Sequence, residues 1–162
     1  INQNPYPDRH GKLVHGFLYC DRQDLDNLYL YMNKWNNAGP KMGWSLRDWS
    51  PFRVYLSKEG QIAMDLIPKY AGIYRFRAPF TGRFKIDLHV NGDSQEALSV
   101  QIRHGKKLIH TSSCAPDKSF VFSAEIQLDL LDKLDVVLLA EGERHATAKL
   151  QPLVTLLTVD TE

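Results

Sequence analysis

Cysteine is nearly absent. Cys20 and Cys114 are the only two in 162 residues. At most one internal disulfide can form, too few for the cross-linked scaffold of a small secreted domain, and no Cys-x-x-Cys pair exists for metal or redox chemistry. The two read either as one bridge or as two buried thiols. An excess of charge of either sign is also missing. Lys and Arg number 20 against 19 Asp and Glu, a formal net charge of +1. That balance argues against bulk attraction to nucleic acid or to an anionic bilayer. No apolar run approaches the roughly 20 residues of a membrane-spanning helix, so membrane insertion is not expected. The chain has no Asn-x-Ser/Thr sequon, no glycine-rich phosphate loop, no Gly-x-Ser-x-Gly elbow and no internal repeat. Its start, INQNPYPDRHGK, is unlike a signal peptide and reads as a mature form or an excised fragment.

What is present is alternation. In FRAPFTGRFKIDLHVNGD, residues 76 to 93, Phe84, Ile86, Leu88 and Val90 occupy every second position. Arg83, Lys85, Asp87 and His89 fill the gaps, which predicts one face in a core and one open to solvent or a partner. Asn91-Gly92 predicts a tight hairpin into ALSVQIRH, bringing Leu98, Val100 and Ile102 close. His104-Gly105 predicts a second turn. PFRVYLS, QIAMDLI, IYRFRA and SFVFSAEIQLDL alternate in the same way, with Ile73, Arg75 and Arg77 opposing Tyr74, Phe76 and Ala78. LDVVLLAEG and LVTLLTV are apolar on both sides, which suits a strand covered on both faces. Strands this numerous, punctuated by Gly, Asp and Pro, predict an all-β sandwich or barrel. Before residue 51 the character changes. Leu25, Leu28, Tyr29 and Met32 have helical spacing, with Asp24 as N-cap, yet Leu28, Leu30 and Met32 also alternate as in a strand.

The spacing Phe76, Gly82, Phe84, Ile86, Leu88 resembles the central signature of the C1q-like globular domains, the complement and tumour-necrosis-factor type of jelly roll. ALSVQIRHGKKLIHTSSC is similar to the strand, basic turn, strand and cysteine that follow in that family. SFVFSAEIQLDLLDKLDVVLLAEG and the closing LVTLLTVD continue the likeness over roughly residues 50 to 160. Departures are Ile86 and Leu88 in place of aromatics and the missing closing Ser-Gly-Phe. The resemblance implies an all-β jelly-roll β-sandwich of two antiparallel sheets over residues 51–162. An irregular, partly helical N-terminal extension, residues 1–50, would pack on it. It further implies an extracellular or secreted module that is no enzyme, binds protein or glycan through loops and assembles as a homotrimer.

Residues that carry binding chemistry form three groups. Tyr29, Tyr31, Trp35, Trp44 and Trp49 gather every tryptophan into one Gly/Asn/Pro-rich stretch. Such rings stack on sugars or anchor an interface, and pack as core otherwise. Arg103, His104, Lys106 and Lys107 form a basic turn suited to an acidic partner. Asn91, Asp93 and Glu96 form an oxygen-rich loop suited to Ca²⁺, with a solvated hairpin tip as the plainer reading. The six histidines have no metal-ligand spacing and read as surface residues. A hydrolase carboxylate pair is set by spatial rather than sequence spacing; Asp24 with Asp26, and Asp129, Asp132 and Asp135, are the candidates, and the latter three read as solvating a turn. No catalytic residue is assigned. The alternatives to the C1q-like module are a monomeric carbohydrate-binding β-sandwich with a Trp-rich platform, a structural viral or phage jelly-roll subunit, and a small β-jelly-roll enzyme.

Overall fold

The computed structural model describes residues 15–25, 29–30, 33–35, 43–45, 53–57 and 61–160. Short strands come first: β1 (His15–Asp21), β2 (Tyr29–Leu30), β3 (Asn33–Trp35), β4 (Gly43–Ser45), β5 (Arg53–Leu56) and β6 (Ile62–Leu66). Then follow β7 (Tyr70–Arg77), β8 (Gly82–Asn91), β9 (Leu98–His104) and β10 (Lys107–Cys114). The last three are β11 (Ser119–Leu128), β12 (Lys133–Ala140) and β13 (Ala146–Val159). No helix occurs among the described residues. Of the two patterns offered by residues 24 to 37, the short strands β2 and β3 are what the described part contains.

Two antiparallel sheets result, ordered β10-β9-β12-β7-β1-β2 and β11-β8-β13-β6-β5-β4-β3. From β6 to β13 the strands follow the order of an eight-stranded jelly roll, with β6, β8, β11 and β13 in one sheet and β7, β9, β10 and β12 in the other. The strands before β6 widen the same edge of both sheets. β1 lies along β7, with Phe17 opposite Tyr74. β5, β4 and β3 continue outward from β6.

The core explains the sequence pattern. β8 buries Phe84, Ile86, Leu88 and Val90 against Leu98, Val100 and Ile102 of β9 and Leu134, Val136 and Leu138 of β12. The inward faces are as the alternation predicts. The predicted Asn91-Gly92 hairpin is not formed. β8 and β9 lie in different sheets, and residues 92–97 carry the chain between them. Asn91 instead pairs with Ser119 on one side and Lys149 on the other. A two-residue turn would have placed β9 beside β8, a position already filled on both sides. The β9–β10 turn does form, and Gly105 takes a φ of 60° there. In the signature, Gly82 has a different cause. A Cβ at that position would stand 2.1 Å from the Thr158 carbonyl oxygen of β13, so only glycine lets the two backbones close.

A second, smaller apolar cluster lies on the outer face of the six-stranded sheet: Leu18, Cys20, Ala71, Ile73, Val137 and Leu139, with Leu25 packed on it. β12 is therefore covered on both faces within one chain. β13 is not. Leu153, Leu156, Leu157 and Val159 are exposed, because β6 pairs with β13 only as far as Leu150. Pro152, which has no N–H for a ladder, stands just beyond that point.

The two cysteines are free thiols in different clusters, Cys20 in the outer one and Cys114 in the main core. Burial, then the nearby Asp21 and Asp24 carboxylates, push the Cys20 thiol up to about 11. Burial raises Cys114 as well, and its thiol points at the Lys118 carbonyl, 3.2 Å away. Since the thiolate is the reactive form, at pH 8 only about one Cys20 in a thousand is reactive. A thiol reagent should therefore label both slowly in the native protein and rapidly in denaturant. Native-state labelling as fast as that of a free thiol in solution would contradict this packing.

Candidate functional site

The outer face of the seven-stranded sheet is where the alternation of β8 leaves its polar residues. β8 runs between β11 and β13, so each outward residue has one neighbour on either side. Lys85 lies between Glu125 and Thr155, Asp87 between Ser123 and Leu153, and His89 between Val121 and Gln151. The Asp87 and His89 rungs enclose an open trough of ≈ 310 Å³ whose lining includes Asp87, His89, Val121, Gln151, Pro152 and Leu153.

The trough combines two kinds of surface. Val121 and Leu153 stand on diagonal corners at 68% and 61% exposure, unusually high for aliphatic side chains on a sheet. Between them lie a carboxylate, an imidazole and an amide. Asp87 accepts a 2.7 Å hydrogen bond from the Ser123 hydroxyl, and the Lys85 ammonium stands 3.8 Å from its other oxygen. These hold the carboxylate in place and leave it further acceptor capacity. The Nε2 of His89 is shielded and has no hydrogen-bond partner among the described residues, a costly state for a buried polar atom. Such a surface offers contacts for C–H groups and directed hydrogen bonds for hydroxyls within a few ångströms of each other.

The residues singled out in the sequence are dispersed. Tyr29 is on β2 in the six-stranded sheet, whereas Trp35 and Trp44 are on β3 and β4 at the far edge of the other. Tyr31 and Trp49 lie outside the described residues. Arg103 and His104 end β9, Lys106 forms the turn and Lys107 opens β10, so the basic turn is one local unit. Arg103 donates to the Lys106 carbonyl at 3.2 Å. His104 Nε2 lies 2.9 Å from Asp132 Oδ2. The Asp129 N–H, and then His104, hold the Asp132 carboxyl below its ordinary value. Among the described residues no hydroxyl or thiol hydrogen-bonds to His104.

In the oxygen-rich loop, Asp93 accepts hydrogen bonds from the N–H groups of Gln95, Glu96 and Thr147. Both its oxygens thus serve the turn, while Asn91 closes β8 and Glu96 packs against Gly142. No group of three or more His, Cys, Asp or Glu converges among the described residues. One expectation is overturned. Asp135 does not solvate a turn; it is 3% exposed in β12 and bridged to Arg75. A carboxylate in the middle of LDVVLL can only be buried beside a cation, and Arg75 is directly opposite.

Together the strand order and these faces define a jelly-roll β-sandwich with a polar–apolar trough on one sheet. No family model and no curated protein matches the sequence. Among solved structures, the chain is similar to a pre-peptidase C-terminal domain of collagenase from Bacillus anthracis at 12% identity and a TM-score of 0.47, covering 57% of this chain and 87% of that one. It is similar to a CBM4 structure at 11% identity and 0.45, covering 78% and 94%. It is also similar to a mutant of CBM29-2, a family 29 carbohydrate-binding module, at 10% and 0.42, covering 87% and 90%. Likenesses at this level do not bear on what this chain binds.

Proposed function

We propose that the chain is a non-catalytic, glycan-binding β-sandwich module whose site is the trough over Asp87 and His89. The observation that supports this reading is the pairing of two exposed aliphatic side chains, Val121 and Leu153, with the polar groups of Asp87 and Gln151. A sugar ring needs that combination: apolar contact for its C–H face and a fixed acceptor and donors for its hydroxyls. A C1q-like trimer is the second reading. Exposed Val121, Leu153, Leu156, Leu157 and Val159 favour it, since apolar side chains gathered on one sheet commonly meet a partner.

One set of variants separates the two. Titration calorimetry against neutral oligosaccharides, with mass measured by light scattering, should find a monomer that binds. Asp87→Ala or Gln151→Ala should weaken binding by about tenfold, the scale of one directed hydrogen bond to a charged or well-placed group. Leu153→Asp should abolish binding without changing mass. If no neutral or acidic oligosaccharide binds, or the variants bind as the parent does, the glycan reading of this trough is wrong. A trimer that Leu153→Asp dissociates supports the C1q-like reading instead.

A further inference from the structure

The two ends of the sandwich are built differently. At one end meet residues 78–81, between β7 and β8, residues 129–132, between β11 and β12, and the close of β13. Hydrogen bonds stitch them together. The Leu131 N–H donates to the Ala78 carbonyl and the Ala78 N–H to the Asp132 carbonyl, both at 2.8 Å. The Leu130 N–H donates to the Thr81 hydroxyl and the Asp160 N–H to the Thr81 carbonyl, both at 2.9 Å. At the far end of β8, roughly 30 Å away, lie residues 92–97, 115–118 and 141–145. Phe80, Leu130 and Leu131 tip the first end, and they are 39%, 57% and 58% exposed. The three connections of the other end contain no large apolar residue at all.

Backbone conformation sharpens the contrast. Among the described residues two that are not glycine have a positive φ, one at each end. At the polar end it is Asp117, φ 59°, a residue type that tolerates the left-handed region. At the apolar end it is Leu131, φ 71°, for which that region is strained. Asparagine or glycine would make this turn with less strain and no exposed apolar surface, so local stability does not account for a leucine there.

Charge divides in the same way. Exposed Lys133 follows the β11–β12 connection and stands opposite exposed Arg77, which precedes the β7–β8 connection. The Gly105 N–H bonds to the Lys133 carbonyl, which brings the turn with Lys106 and Lys107 alongside. Among the described residues none of these four cations forms an ion pair. The acids of this end are Asp129, Asp132 and Asp160; Asp132 pairs with His104, and Asp160 accepts from Gln127. The connections of the other end hold Asp93, Glu96, Asp117, Glu141 and Glu143 against Lys118 and Arg144. Even without Arg103, cations outnumber acids four to three at the apolar end, whereas acids outnumber cations five to two at the other. The net charge of +1 conceals a field that runs along the molecule.

We infer that this end is a lipid-docking tip: Phe80, Leu130 and Leu131 enter the headgroup layer of an anionic bilayer, and Arg77, Lys106 and Lys133 meet its phosphates and carboxylates. Apolar side chains on the tips of hydrogen-bonded turns suit a soft surface that closes around them. Cations set just behind those tips stand at the depth of the headgroup charge. The acidic end is then turned away from the bilayer, which favours this orientation over the reverse. Nothing spans the membrane; the module rests on one leaflet. The inference does not depend on the glycan reading, and the trough lies on a sheet face that docking leaves uncovered.

Flotation of the full chain with vesicles tests this, using phosphatidylcholine alone and phosphatidylcholine mixed with phosphatidylserine. The mixed vesicles should carry the protein, less well as salt rises, because headgroup charge is screened. Soluble glycerophosphoserine, a headgroup without acyl chains, should not displace it. Leu130→Ser/Leu131→Asn should weaken vesicle binding at least about tenfold, the scale of one buried leucine. Its Tm should not fall below the parent's, since asparagine accepts the left-handed turn. Lys106→Gln/Lys133→Gln should remove the preference for the mixed vesicles. Leu130→Trp should tighten binding, because the indole ring favours the membrane–water interface, and it decides the matter if the leucine double variant melts early. Absence of vesicle binding at every salt, binding that the double leucine variant leaves intact, or displacement by glycerophosphoserine would overturn the inference. A Leu130→Trp variant that binds no tighter than the parent does the same. The glycan reading is tested separately by Asp87→Ala and stands or falls without these results.

Discussion

Asp135→Ala should destabilise the protein by about 3–5 kcal/mol, the cost of removing one partner from a buried ion pair. The Arg75 and Asp135 side chains are only 16% and 4% exposed. Arg75 would keep its charge, with its two charge-assisted hydrogen bonds gone and little water to replace them. Arg103 makes matters worse, since it stands opposite Asp135 on the other neighbouring strand. The pair itself need not be a large net source of stability. A double replacement with apolar residues of similar size, Arg75→Met with Asp135→Leu, should recover most of the loss, because neither charge is then stranded. Urea unfolding of the parent, the single variant and the double variant checks both statements. A single variant within 1 kcal/mol of the parent, an order-of-magnitude bound for exposed pairs, would show that Asp135 is far better solvated than its burial implies.

Phe84→Ala is the other large effect, about 3–5 kcal/mol for truncating a buried phenylalanine. Phe84 is 2% exposed on β8, and its ring meets Phe76 of β7 edge-on, with centroids 5.5 Å apart at 65°. One ring comes from each sheet, so the contact ties the two layers together close to the β7–β8 connection. Truncation leaves a cavity that rigid strands on both sides cannot collapse into. For a domain of this size each kcal/mol moves Tm by about 2–4 °C, so a fall of roughly 10 °C is expected. Val121→Ala on the outer face of the same sheet is the internal control and should stay within about 0.5 kcal/mol. A Phe84→Ala variant that melts with the parent would mean that the two sheets do not meet there.

The fold was legible wherever a strand has one buried and one open face. β8 and β9 show this: period-two alternation follows directly from a pleated strand over a core, and the inward residues are the ones the pattern names. Strand partners were not legible. Asn91-Gly92 has the chemistry of a hairpin turn, but the pairing of β8 with β11 and β13 is set by residues about thirty and sixty positions downstream, which no local signal encodes. The trough was half visible for the same reason. Asp87 and His89 stand out as the open face of β8, yet Val121, Gln151 and Leu153 join them only through that long-range pairing. Arg75 and Asp135 were each visible in the sequence but not as a pair, because their contact depends on β7 and β12 aligning rung by rung.

The placement of β13 has a consequence for how the molecule is made. Residues 146–150 join β6 and residues 149–159 join β8, so β13 stands inside the seven-stranded sheet although it comes last in chain order among the described strands of that sheet. Until residues 146–159 leave the ribosome, β11 with β8 and β6 with β5 are separate half-sheets, each with a bare edge toward the missing strand. Pairings over such sequence separations are slow to form, and unpaired edges are what aggregates in the meantime. The nascent chain therefore passes through a stage in which residues 1–145 are present and that sheet is still in two pieces. The gap between the two half-sheets therefore stays open to a foreign strand until β13 itself arrives.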